Sequence, residues 1–127
     1  MQRSEQRYVD VGRYVAARLP TDAAVITIHH GGSVRYYSHR LTVAWDAVDP
    51  AWFDRALAFL RESGHPTYLI FETWEEPNFR KRLASASDIG RLDWPPIAQI
   101  DRDVRVYDPA DRTRYMAGAA IHTERVP

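Results

Sequence analysis

The chain is 127 residues long, with 17 basic and 17 acidic residues for a formal net charge of zero, and it is 45% hydrophobic and 27% charged. That length suits a single domain with a sizeable core, and the balanced charge provides no field to draw the chain to nucleic acid or an anionic membrane. The absence of cysteine excludes disulfides, thiolate metal sites and a cysteine nucleophile, residues 1–10 are too charged for a signal peptide, and no apolar run approaches the ~20 residues that cross a bilayer.

The first predicted element is a helix over residues 4–19, with Tyr8, Val11, Val15 and Leu19 at helical spacing. Gly12 weakens it and Pro20 stops it. Residues 23–28 form a short, almost unbroken apolar run, the pattern of a strand covered on both faces. Gly31 and Gly32 break the chain, leaving room for a turn or two of helix before a second strand over residues 41–45. Asp49 is a good N-cap with Pro50 at the first helical position, and Phe53, Ala56, Leu57 and Leu60 make the apolar face of a helix that Gly64 ends.

Residues 67–71 form the third strand and run into Glu72, Thr73, Trp74, Glu75 and Glu76. Pro77 opens a short helix with Phe79 and Leu83 on one side. Residues 92–96, with two prolines, make a rigid extended crossing. The last strand covers residues 104–107, with residues 97–100 as its hairpin partner. Alternation of strands and helices implies a three-layer α/β domain, Rossmann-like, with a mostly parallel sheet of about four strands in order 2-1-3-4 and helices on both faces. The domain is expected over residues 1–112, with a loose tail at 113–127.

In an open α/β sheet, ligands collect at the carboxyl ends of strands, where a glycine turn bares backbone amides. His29, His30, Ser33, Arg35, Tyr36, Tyr37 and Arg40 crowd the end of the first strand, and Glu72 and Trp74 that of the third; these nine form the expected ligand site. In it, Arg35 and Arg40 clamp an anionic group, while Tyr36, Tyr37 and Trp74 offer faces to a sugar or lipid-phosphate headgroup. The competing reading pairs both arginines with Asp46, Glu72 or Glu75 to tie loops together.

No catalytic residue, metal or cofactor is assigned. His29 and His30 are adjacent and point to opposite faces, so they do not share an ion with His39, Glu72 and Glu75. Ser33 lacks the second glycine of a nucleophile elbow. Gly31 and Gly32 with Arg35 match neither dinucleotide nor P-loop patterns.

The segments RYVDVGRYVAARLPTDAAV, GGSVRYYSHRLTVAWD, ETWEEPNFRKRL and LDWPP resemble the soluble C-terminal domain of bacterial polytopic GT-C glycosyltransferases, relatives of dolichyl-phosphate-mannose protein mannosyltransferases. The resemblance covers residues 6–108. It implies a non-catalytic accessory domain on the extracytoplasmic, periplasmic face, aiding acceptor or donor headgroup binding. Its partners are then a transmembrane glycosyltransferase portion and a lipid-phosphate sugar. The family's acidic catalytic residues lie in a loop outside the matching segments, so none is carried onto a position here. Two other classes remain: a free-standing, cytoplasmic phosphate- or sugar-binding module, and a small hydrolase.

Overall fold

The computed structural model describes residues 3–127; the first two residues of the expected domain lie outside the described residues. The first helix, α1 (Arg3–Arg18), buries Val11 and Val15 of the expected stripe and half-buries Tyr8, with Leu19 buried just past its end and Tyr14 added to the buried face. Gly12 lies on α1 where it meets α2 (Gly31–Ser38), and a Cβ there would stand 2.8 Å from the Ser33 carbonyl and 2.6 Å from the Tyr37 ring. The glycine that weakens the isolated helix therefore permits its closest packing.

The chain between these helices forms β1 (Ala24–Ile26), fully buried as its apolar composition demanded. The next strand, β2 (Leu41–Val43), forms one edge of the sheet. Asp49 accepts a hydrogen bond from the Ala51 amide, and a single 3-10 turn at Pro50–Trp52 leads into α3 (Phe53–Glu62). Phe53 and Leu57 are buried on α3 and Leu60 is half-buried, while Gly64 ends the segment at φ +88°. Strand β3 (Thr67–Glu72) is followed by α4 (Glu76–Leu83).

Six strands form one sheet in the order β2-β1-β3-β5-β4-β6, and β1 pairs in parallel with β2 and β3. The expected order 2-1-3 therefore holds for the first half. The four-strand, mostly parallel sheet does not, because the orientation is mixed. Strand β4 (Ala98–Ile100) is joined to β5 (Val104–Tyr107) by residues 101–103 alone, with Asp101 at φ 55°. So short a link permits only antiparallel pairing, since a parallel partner needs a crossover of about a dozen residues. The hairpin inserts β5 between β3 and β4, antiparallel to both.

Residues 113–127 also depart from expectation. They complete α5 (Ala110–Met116) and supply β6 (Glu124–Val126), which pairs in parallel with β4 at the second edge. Three residues are too few for a periodicity to register in sequence.

The core has two halves, one on each face of the sheet. Val11, Val15 and Val34 from α1 and α2 pack with Val25, Ile70, Ile100 and Val106. On the other face Phe53, Leu57, Phe79 and Leu83 from α3 and α4 meet Ile26, Leu69, Phe71, Trp45 and Tyr107. Phe79 is the centre of an aromatic cluster, with ring centroids 4.6 Å from Phe71, 5.3 Å from Trp45 and 5.9 Å from Phe53. Helices on both faces make the three layers.

Candidate functional site

The connections out of β1 and into β3 lie on opposite faces. The β1–β2 connection uses α2 on the face that carries α1, and the β2–β3 connection uses α3 on the other. The carboxyl ends of β1 and β3 are therefore neighbours at a point where the winding reverses, the position at which open α/β sheets form a crevice. Residues 27–30 leave β1 for α2, and Glu72 leaves β3 for the 3-10 turn Thr73–Glu75 and then α4.

Three glutamates gather here, and all are buried. Glu72 Oε1 accepts from Arg7 Nε at 3.0 Å and lies 3.3 Å from His30 Nε2. Arg7 also reaches Asp103 at 3.5 Å. Glu75 accepts the Glu72 amide at 2.8 Å, closing a reciprocal capping box at the start of the 3-10 turn, and its second oxygen lies 3.8 Å from His29 Nε2. Glu76 turns to the other side of the turn, accepting from Arg105 and from the Tyr107 hydroxyl, each at 3.1 Å.

These surroundings drive the first two carboxyls apart. Burial opposes the charge of Glu72, but His30 and Arg7 outweigh it and hold the carboxyl below its ordinary range. Burial dominates at Glu75 and raises it, with the Glu72 amide and His29 offsetting part of the effect. Such divergence occurs in acid–base pairs and in structural ion-pair networks alike. Burial together with Glu76 likewise raises the Tyr107 hydroxyl.

Among the described residues, the buried side-chain atoms without a hydrogen-bond partner are Thr27 Oγ1, both ring nitrogens of His30, Trp45 Nε1, Glu72 Oε2 and Glu75 Oε2. Every one belongs to a residue at or just beyond the carboxyl end of β1, β2 or β3. His30 Nε2 lies 3.3 Å from Glu72 Oε1, and whether it donates there depends on the ring tautomer. Trp45 Nε1 similarly favours the ionised Glu75 without completing a bond.

Of the nine expected residues, the structure brings four together: His30 and Glu72 in the buried pair, and His29 and Trp74, whose rings stand 4.9 Å apart. Trp74 is 60% exposed and forms the outer rim. Ser33 is one turn along α2, donating to the His30 carbonyl at 3.2 Å rather than to a histidine nitrogen. Arg35 binds the Thr42 hydroxyl at 2.6 Å, and exposed Tyr36 packs edge-on against Tyr37, whose ring lies beside Gly12 of α1.

Arg40 lies at the opposite end of the sheet. It is buried and donates to the carbonyls of Leu19, Pro20 and Ser38. It is therefore neither an anion clamp beside His30 nor a partner of Asp46, Glu72 or Glu75. The one-residue gap between Ser38 and Arg40, bridged by His39 at φ 57°, turns its side chain back along α1. The expected site did not include Arg7, Tyr8 or Trp45. Tyr8 meets the His30 ring at 4.7 Å between centroids. The sequence signal for Arg7 was its place beside Tyr8, at the start of the apolar stripe of α1.

No group of three or more His, Asp or Glu among the described residues is arranged to hold a metal ion. Two surface openings lie away from the cluster. One of about 460 Å³ separates α1 from β6, and one of about 130 Å³ lies near Thr67 at the amino end of β3.

The fold and this cluster define an α/β domain with a polar centre at its winding reversal. No family model, curated protein or solved structure matches the chain.

Proposed function

We propose that this chain is a non-catalytic accessory domain of a lipid-linked-sugar-dependent membrane glycosyltransferase, acting on the extracytoplasmic face to help hold the acceptor or the donor headgroup. The observation that carries the reading is the coincidence between the resembling segments and the cluster. Arg7 and Tyr8 open the first segment, Trp45 lies near the end of the second, and Glu72 to Glu76 open the third, while His29 and His30 lie between the first two. The chemistry of the cluster supports the non-catalytic part. Arg7, His30 and a backbone amide already engage its carboxylates, and Ser33 has no base.

None of the helices among the described residues is long and apolar enough to cross a membrane. In this reading a partner polypeptide or segment supplies the membrane spans. The test incubates the purified chain with a polyprenyl-phosphate sugar and a peptide acceptor, alone and with membranes containing a glycosyltransferase that lacks such a domain. No transfer by the chain alone, and stimulation of the membranes, is the expected result. Transfer by the chain alone, or membranes indifferent to it, would overturn the proposal.

A second reading, a free-standing sugar-binding module, draws on the unpartnered polar atoms at the strand ends and on exposed Trp74 beside His29. The unpartnered carboxylate oxygens Glu72 Oε2 and Glu75 Oε2 suit the hydroxyls of a sugar. Titration of the isolated chain with neutral monosaccharides, read at the Trp74 indole and the Gly32 amide, separates this reading from the first.

A further inference from the structure

We infer that the groove between α1 and β6 receives an extended peptide segment of alternating apolar and acidic residues, added to the free edge of β6. The inference rests on different residues from the proposed function and stands or falls independently of it.

Strand β6 is the last strand of the sheet, and only β4 pairs with it. Glu124 donates its amide to Ile97 and Val126 accepts from Asp101, so these two residues spend their backbone groups on the β4 side. Backbone groups alternate along a strand, leaving the N–H and C=O of Arg125 directed outward. Beside that edge lies the opening of about 460 Å³, close to the size of many ligand clefts. Tyr14, Ala17 and Val126 supply its apolar lining.

The period-2 alternation of strands fixes what the incoming segment should carry. Val126 packs towards α1 and Glu124 bridges to Arg18 at 2.8 Å, so both face α1, while Arg125 faces the opposite side of the sheet. Segment residues facing α1 meet the apolar lining, and those on the other side meet Arg125. Arg125 has no carboxylate partner among the described residues and reaches only Gln99, whereas Arg13 lies on α1, at the rim on the apolar side, over the Tyr37 ring. Asp10, also on the rim, is hydrogen-bonded to Gln6. A second copy of this chain fits poorly, because antiparallel pairing of two β6 strands about their centres sets one Arg125 directly against the other.

The test titrates the 15N-labelled chain with a blocked hexapeptide of alternating valine and glutamate. The valine–lysine counterpart and inorganic phosphate serve as controls. Binding of the acidic peptide should shift the amides of Tyr14, Ala17 and Arg125. Arg125→Glu should weaken it about tenfold and turn the preference towards the lysine peptide. Ala17→Trp, at an exposed helical position, should fill the groove and abolish binding with the fold intact. Equal binding of the lysine peptide, the same shifts with phosphate alone, or no shifts at millimolar peptide would each overturn the inference.

Discussion

The guanidinium of Arg40 closes the end of α1, its Nη2 donating to the Leu19 carbonyl at 2.8 Å. Nε reaches the Pro20 carbonyl at 2.8 Å and Nη1 the Ser38 carbonyl at 2.7 Å. The last carbonyls of a helix have no partner within it, so one planar cation satisfies several acceptors that are otherwise orphaned. Arg40→Ala should therefore lower stability by about 3 kcal/mol, and Arg40→Lys should recover only part, since an ammonium lacks the fork of donors. Thermal denaturation measures this; an unchanged melting temperature would contradict the assignment.

Glu72 and Glu75 should leave separate marks on the pH dependence of stability. The folded carboxyl of Glu72 lies below the ordinary 4.5. Its contribution is therefore present above 4.5 and is lost as pH falls through the lowered value. The folded carboxyl of Glu75 lies above 4.5, so it costs stability as pH rises from 4.5 through the raised value. Urea denaturation across this range should show Glu72→Gln flattening the acid limb below 4.5 and Glu75→Gln flattening the limb above it. At neutral pH Glu72→Gln should cost about 2 kcal/mol, because the Arg7 guanidinium loses its buried counter-charge.

Two glycines should respond oppositely to alanine. At Gly12 a Cβ meets the Ser33 carbonyl at 2.8 Å, and backbone cannot yield cheaply. Gly12→Ala should cost about 2 kcal/mol despite the better helix propensity of alanine. At Gly32 a Cβ meets nothing within 4 Å, so Gly32→Ala should stabilise by about 0.5 kcal/mol. Comparing the two denaturation midpoints checks both.

Removing residues 124–127 should strip β4 of its edge partner. The Arg18–Glu124 pair, with side chains 59% and 36% exposed, contributes little, so Glu124→Gln should be nearly silent. The truncation should instead cost about 1–2 kcal/mol through lost ladder bonds and the packing of Val126. Hydrogen exchange should accelerate at the Gln99 amide in the truncated chain and remain unchanged in Glu124→Gln.

The sequence by itself determined the elements whose signals are local. The stripe of Tyr8, Val11 and Val15, the apolar run of β1, and the Asp49–Pro50 start followed by Phe53 and Leu57 each specify one face to bury. Local patterning also placed β1 beside β2 and β3 and set His29, His30, Glu72 and Trp74 at adjoining strand ends. What only the tertiary structure decided depends on residues far apart in the chain. Arg7 finds Glu72 across 65 positions and Arg40 finds Leu19 across 21, and neither partner has a sequence period that announces it. The position of β5 between β3 and β4 was hidden for a related reason. A three-residue link dictates an antiparallel hairpin, but which strand docks on β3 depends on burial: β5 buries Val106 on one face and Tyr107 on the other, whereas β4 buries Ala98 and Ile100 on one face alone. β6 was hidden most of all, because a short half-buried edge strand is stabilised by the ladder and helix it meets rather than by any pattern of its own.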